Sequence, residues 1–249
     1  MTDILDWTGA RLTDLDIHTN VGRAGELAKR LTDETSAGNL PFLTMPYLPE
    51  LRQQLADLKE KLAGFDHMLL LGIGGSALGA RALQEAFFPE QDMPGHEGPW
   101  LWIADNVDPG TLEGYMDRLP PEKTVVVTVS KSGGTIETVG QYFIIREWME
   151  VVLGDRWKDN MVLVTGESGF LREEAETNGI VTLPVPENLG GRYSVLSAVG
   201  MIPALFLGMD VDAILKGAME VAAPLASPDL DGEGLACMSP SASPAGARP

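Results

Sequence analysis

The sequence has few basic residues and almost no cysteine, and each shortage excludes a class of protein. Its 249 residues include 18 Lys and Arg against 36 Asp and Glu, which gives a net charge of −18. Nucleic acid is therefore not an expected partner, because proteins that bind it neutralise phosphates with clustered Lys and Arg. The single cysteine, Cys237, cannot form an internal disulfide, which favours a reducing compartment.

Long apolar runs are also missing. No stretch reaches the ~18 apolar residues that a membrane span needs, and the first residues, Met1–Trp7, are acidic, unlike a secretory signal. We therefore expect a cytoplasmic protein with no membrane partner. What the chain does have is 44% hydrophobic residues, an ordinary share for a globular domain that buries a substantial core.

Short apolar runs alternate with segments of helical spacing. The runs predict five strands, at His67–Leu71, Trp100–Ala104, Thr124–Val129, Met161–Thr165 and Ile180–Val185. The helical segments are Leu48–Leu62, Leu78–Phe88, Thr135–Val152 and Gly169–Asn178. Runs without polar alternation are typical of strands covered on both faces. The pattern predicts an α/β fold, a doubly wound five-stranded parallel sheet flanked by helices, with ligands beyond the carboxyl ends of the strands.

The region after the last strand is less clear. Ser194–Met209 and Val211–Ala223 predict two apolar helices, which either pack on the sheet or cover a second domain or subunit. From Gly234 the sequence becomes polar and loses its periodicity, so residues 227–249 are expected to form a disordered or aberrant tail. We expect an N-terminal extension over residues 1–46 and one domain over 47–226.

The segment Ser130–Thr138 follows the third strand and has the composition of a phosphate site. It combines hydroxyls, Lys131 and two glycines at the start of a predicted helix, where backbone N–H groups and the helix dipole favour an anion. The alternative is a capped Ser/Gly loop with a solvated Lys131. A Walker A phosphate loop is excluded because its pattern does not occur.

A second glycine-rich turn follows the first strand. Gly72, Gly74 and Ala77 formally match a dinucleotide-binding fingerprint, but the acid that would bind the ribose hydroxyl is expected only about 20 residues later. Asp105, after the next strand, lies more than thirty residues past Gly72. The paired Gly74 and Gly75 favour a compact ligand, and a simple tight turn remains an alternative.

A third turn follows the fifth strand. In Glu187–Ser194, two glycines allow close backbone approach, and Arg192 supplies a permanent cation that can stabilise developing negative charge. The alternative is an ordinary surface arginine. Three such turns at one sheet edge favour a binding site more strongly than any one of them.

Four ordered motifs together resemble the glucose-6-phosphate isomerase family. They are Gly72–Gly79, Asp105–Pro109, Ser130–Thr138 and Gly190–Ser197, and the similarity covers roughly Leu48–Ala223. The resemblance is to the amino-terminal sugar isomerase (SIS) domain of the family. It implies interconversion of glucose 6-phosphate and fructose 6-phosphate in glycolysis and gluconeogenesis, without a cofactor or metal.

The resemblance also implies roles for individual residues. Gly75 and Ser76 would line the sugar site, and Glu137 would order the phosphate loop. Arg192, with Gly191, would stabilise the enediolate formed near the reacting carbons. The substrate phosphate would be held by Ser130, Lys131, Ser132 and Thr135.

The family's remaining catalytic groups are expected outside this chain. By resemblance, a glutamate base lies in a second SIS domain, and a histidine and a lysine for ring opening come from later segments, with that histidine from the partner subunit of a homodimer. Nothing after Ala223 resembles that second domain, and His18, His67 and His96 fall in none of the motifs. Two functions stay open, an isomerase represented by its amino-terminal part and a non-catalytic SIS module that binds or senses phosphosugars.

Overall fold

A five-stranded parallel sheet organises the chain. The computed structural model describes residues 26–27, 29–91 and 93–225. Its strands are β1 (His67–Leu71), β2 (Trp100–Ala104), β3 (Thr124–Ser130), β4 (Met161–Thr165) and β5 (Val181–Pro184). They lie in the order β2-β1-β3-β4-β5, and all neighbours are parallel. The predicted sheet is confirmed.

Helices precede, connect and follow the strands. They are α1 (Pro49–Leu62), α2 (Gly75–Phe87), α3 (Pro109–Arg118), α4 (Ile136–Leu153), α5 (Phe170–Asn178), α6 (Ala198–Phe206) and α7 (Val211–Leu225). A short helix lies at Pro41–Thr44, and 3-10 turns lie at Met45–Tyr47, Pro121–Lys123, Gly154–Asn160 and Gly191–Tyr193. Residues 45–215 form one compact unit that contains the whole sheet, and the other described residues belong to a second unit. The predicted tail at 227–249 lies outside the described residues.

Helix α3 was not predicted from the sequence, although its start carries a clear signal. Asp108 accepts a hydrogen bond from the Thr111 N–H at 2.8 Å, and Pro109 occupies the first helical position. The hydroxyl and the N–H of Thr111 both hold the pKa of the Asp108 carboxyl below its usual value.

Burial on both faces explains why the strands read as unbroken apolar runs. All seven residues of β3 are buried, as expected for a central strand of a parallel sheet covered by helices. One layer of the core packs beneath α3, α4 and α5, where Val126 and Leu163 of the sheet meet Tyr142, Ile145 and Met149 of α4.

Helix α6 decides between the two alternatives that the sequence left open for the segment Ser194–Met209. All of Ala198–Phe206 except Leu205 is buried, and the helix packs against α1 and α2 within the same unit. Its amino end is capped by Ser197, whose hydroxyl accepts from the Val199 N–H at 3.3 Å. The apolar segment Ser194–Met209 is therefore largely buried within this unit.

The strand order creates a crevice between β1 and β3. From β1 the chain crosses over to β2 on one side, whereas from β3 it crosses over to β4 on the other side. Right-handed crossovers in opposite directions put α2 and α4 on opposite faces of the sheet. The loops at the carboxyl ends of β1 and β3 therefore border the crevice where open α/β sheets bind ligands.

Candidate active site

Three predicted loops lie at the carboxyl edge of the sheet. Residues 72–75 run from the end of β1 into the first residue of α2, and residues 130–135 (the phosphate loop) run from the last residue of β3 to the start of α4. Residues 187–194 (the Arg192 loop) lie between β5 and α6. Because all strands are parallel, their carboxyl ends share one edge. The described fold thus brings the three motifs to one side of the sheet.

Hydroxyl groups converge in the phosphate loop. Ser130 Oγ lies 2.9 Å from Thr135 Oγ1, and Ser132 Oγ lies 3.3 Å from the same atom. The Gly134 N–H donates to Ser132 Oγ at 3.3 Å. Helix α4 begins at Ile136, and the side chain of Thr135, the residue before it, makes no capping hydrogen bond. The first-turn N–H groups of α4 therefore lie beside the hydroxyls without a side-chain cap from Thr135, an arrangement in which they could donate to an anion. That this loop binds phosphate stays a prediction.

The phosphate loop is fixed by its neighbour, the connection from β4 to α5. The Gly166 N–H donates to the Lys131 carbonyl at 3.0 Å, and the Leu171 N–H donates to the Gly133 carbonyl at 2.9 Å. Gly133 has a φ of +65°, a conformation that favours glycine. These contacts hold the loop backbone independently of a ligand.

Lys131 makes contacts that the sequence does not reveal. Its Nζ donates to the Glu187 carbonyl at 3.0 Å and to the Leu189 carbonyl at 3.2 Å. The side chain thus links the phosphate loop to the Arg192 loop. Its role as a phosphate ligand stays a prediction.

Glycine allows α2 to touch the Arg192 loop. A Cβ on Gly75 would lie 2.3 Å from the Gly191 carbonyl oxygen and 3.0 Å from the Arg192 nitrogen. The buried Ser194 hydroxyl reinforces this contact, with its Oγ 2.7 Å from the Gly191 oxygen and 3.3 Å from the Gly75 oxygen. Sequence reasoning missed this role of Ser194, because a serine after Tyr193 carries no signal for it.

The remaining predicted site residues lie at the same edge. Ser76 is half-buried in the first turn of α2, and Arg192 is exposed. Within the described part of the chain, the Arg192 guanidinium has no hydrogen bond or ion pair, so its planar donors are available to a ligand. Glu137 is exposed in the first turn of α4. Its predicted role in ordering the phosphate loop stays a prediction.

Asp105, the acid that could have bound a dinucleotide ribose, is already paired with a cation. Asp105 forms an ion pair with Arg81 of α2 at 2.9 Å, so this carboxylate already has a cationic partner from the same βαβ unit. A ribose hydroxyl would have to compete with that pairing. The geometry therefore favours the compact-ligand interpretation of the turn at Gly74 and Gly75.

The described histidines lie at the opposite edge of the sheet. His67 begins β1, stacks on Trp100 with ring centroids 4.9 Å apart, and accepts a hydrogen bond from Trp102 Nε1 at 3.2 Å. Burial lowers the pKa of the His67 imidazole, and the nearby Asp66 carboxylate opposes this shift. His96 contacts the Pro99 carbonyl at 3.2 Å near the start of β2. Neither ring reaches the carboxyl edge, and His18 lies outside the described residues.

The described residues contain neither a metal-binding cluster nor a membrane-spanning helix. No group of three His, Cys, Asp or Glu side chains there is placed to hold a metal ion. None of the helices in this part of the chain combines the length and apolar content needed to cross a bilayer.

Comparison with known families identifies the family of this chain. A family model described as phosphoglucose isomerase matches residues 59–231, which include all three loops. The chain belongs to the phosphoglucose isomerase family. The phosphoglucose isomerase match confirms the resemblance that the four sequence motifs indicated.

Individual relatives agree with this membership. Glucose-6-phosphate isomerase of Carboxydothermus hydrogenoformans is 34% identical over 221 residues, which cover 85% of this chain and 47% of that protein. Glucose-6-phosphate isomerase of Rubrobacter xylanophilus is 40% identical over 185 residues, covering 71% of this chain and 42% of that protein. The chain thus spans less than half the length of these two curated relatives.

A solved structure supports the fold. The crystal structure of a hypothetical protein from Thermus thermophilus superimposes with a TM-score of 0.76 at 31% identity. The match covers 89% of this chain and 52% of that chain. The overall fold is therefore shared with an experimentally determined protein.

Proposed function

We propose that this chain forms the phosphate-binding part of a glucose-6-phosphate isomerase, which interconverts glucose 6-phosphate and fructose 6-phosphate. The observation that carries the proposal is the convergence of Ser130, Ser132 and Thr135 hydroxyls at the start of α4. Relatives named glucose-6-phosphate isomerase at 34% and 40% identity support the choice of substrate. A phosphate there would accept hydrogen bonds from the hydroxyls and from first-turn N–H groups.

Proton transfer between C2 and C1 of the sugar leaves negative charge on the enediolate oxygens. Arg192, unpaired among the described residues and beside the start of α2, is the group proposed to stabilise that charge. Gly75 and Gly191 keep the backbones close enough for the sugar to meet Ser76 and Arg192 together. The protein would thus hold the phosphate at one end of the substrate and the developing charge at the other.

A second candidate, a phosphosugar-binding module without turnover, is favoured by the position of the histidines. Both described histidines lie at the amino edge of the sheet, away from Arg192. Isomerisation needs a positioned base, and the family resemblance assigns that base to a second SIS domain. For the whole enzyme we propose a cytoplasmic homodimer that completes the site and uses no cofactor or metal.

A coupled assay of the 249-residue chain separates these functions. We expect fructose 6-phosphate to be converted at least about a hundredfold more slowly than by the Carboxydothermus relative, because a missing base costs roughly 10²–10⁴ in rate. An Arg192→Met variant purified in the same way controls for contaminating isomerase. Robust turnover that disappears in Arg192→Met would show that this chain supplies its own base and would overturn the dependence on a second domain.

A further inference from the structure

Lys131 joins two loops that are separated by a strand. It leaves the end of β3, whereas its two carbonyl partners, Glu187 and Leu189, follow β5, and β4 lies between these strands. An ammonium group that donates to backbone carbonyls makes charge-assisted hydrogen bonds, which are stronger than neutral ones. The lysine therefore ties the phosphate loop to the Arg192 loop across the end of β4.

The bonded carbonyls lie at a defined point of the Arg192 loop. Leu189 is fully buried, and its N–H donates to the Pro186 carbonyl at 3.0 Å, closing a turn. A second turn follows at once, closed by the Tyr193 N–H on the Gly190 carbonyl at 2.9 Å. Arg192 lies within this second turn. Fixing the first turn therefore fixes the backbone from which the Arg192 side chain projects.

Ser194 anchors the other end of the same loop. Its side chain is nearly fully buried, and its Oγ contacts the carbonyls of Gly191 and Gly75. The loop is thus held on its amino side by Lys131 and on its carboxyl side by Ser194. Between these anchors, the exposed Arg192 side chain makes no bond to described residues and is left for a ligand.

We propose that Lys131 is a positioning residue, which holds the Arg192 loop in its ligand-ready position before any phosphosugar binds. This proposal rests on the proposed function, which makes Arg192 the group that acts on the substrate. Two of the three ammonium N–H groups are used by the carbonyls of Glu187 and Leu189, so at most one remains for a phosphate. If Lys131 served only as a phosphate ligand, its removal would leave the backbone of the ligand-free Arg192 loop unchanged.

Amide hydrogen exchange of the ligand-free chain tests this directly. In Lys131→Met we expect amides of residues 187–194 to exchange roughly tenfold faster or more, the factor expected for losing charge-assisted hydrogen bonds. Lys131→Arg, which keeps a cationic donor, should retain part of the protection. Lys158→Met, which removes an exposed lysine from the Gly154–Asn160 turn, is the matched control and should leave these amides unchanged.

The outcomes separate the positioning role from the proposed function. Unchanged exchange at 187–194 in Lys131→Met, together with weaker binding of inorganic phosphate, would make Lys131 a direct ligand and overturn the proposal. Faster exchange in a protein whose wild type binds no phosphate would support the positioning role and refute the proposed function. Protection of β1 and β3 amides checks that the variant folds. If Lys131→Met does not fold, Ser194→Ala tests the anchor at the carboxyl side of the loop. We expect the amides of residues 187–194 to exchange faster in Ser194→Ala, and unchanged exchange would contradict the proposal.

Discussion

Replacing Gly133 by alanine is expected to destabilise the protein by about 2–5 kcal/mol and to abolish phosphate binding. Gly133 has a φ of +65°, which an alanine adopts only with strain. Its Cβ would also lie 2.8 Å from the Ser168 carbonyl oxygen and 3.0 Å from Thr165 Oγ1. Since these atoms lie at the end of β4 and in the connection that fixes the phosphate loop, relief of the clash would displace the loop itself.

The adjacent glycine is the matched control for this substitution. A Cβ on Gly134 would meet only the Ser132 oxygen, at an ordinary 3.9 Å, so Gly134→Ala should change the free energy of unfolding by no more than about 0.5 kcal/mol. Urea unfolding and phosphate calorimetry of both variants give the comparison. Equal stability and equal phosphate affinity for the two variants would mean that the loop is not held as described.

Gly75→Ala is expected to have the second largest effect. Its Cβ would lie 2.3 Å from the Gly191 oxygen, a backbone atom that cannot move without moving the Arg192 loop. Overpacking of this kind costs about 1–3 kcal/mol. We expect affinity for fructose 6-phosphate to fall by roughly tenfold or more, while affinity for inorganic phosphate changes little, because the phosphate loop is fixed by other contacts.

A glycine on an exposed helix surface provides the comparison. Gly140 lies in α4, and a Cβ there would meet nothing within 4 Å, so Gly140→Ala should stabilise the protein by about 0.5–1 kcal/mol. Calorimetry of both variants then measures the change in affinity for fructose 6-phosphate and for inorganic phosphate separately. A Gly75→Ala protein that loses inorganic phosphate and fructose 6-phosphate binding to the same degree would argue against separate phosphate and sugar subsites.

Local sequence signals were sufficient for the sheet and for the positions of the glycine-rich loops. Strands such as β3 are predictable because burial on both faces leaves an uninterrupted apolar run. Helix α2 was predicted to begin at Leu78 but begins at Gly75. Gly75, a poor helix former, is required there by the close approach of α2 to Gly191. Tertiary packing therefore overrides local propensity at this helix start.

The sequence patterns could not predict the hydrogen bonds that link the loops. Lys131 and its carbonyl partners are 56 and 58 residues apart, and Ser194 and Gly75 are 119 residues apart. Such contacts depend on the order of strands in the sheet, which periodicity does not determine. For the same reason, the sequence could not decide whether the apolar segment after Ser194 was buried within this unit or covered something else.

The most direct test is isothermal calorimetry of the 249-residue chain with fructose 6-phosphate, inorganic phosphate and fructose. We predict that the first two bind and that fructose does not, and that Ser132→Ala weakens both phosphate-containing ligands by about tenfold, as expected for losing a hydrogen bond to a charged group. Absence of binding by fructose 6-phosphate, or equal binding by fructose, would contradict the assignment of the loop at the start of α4 as a phosphate site.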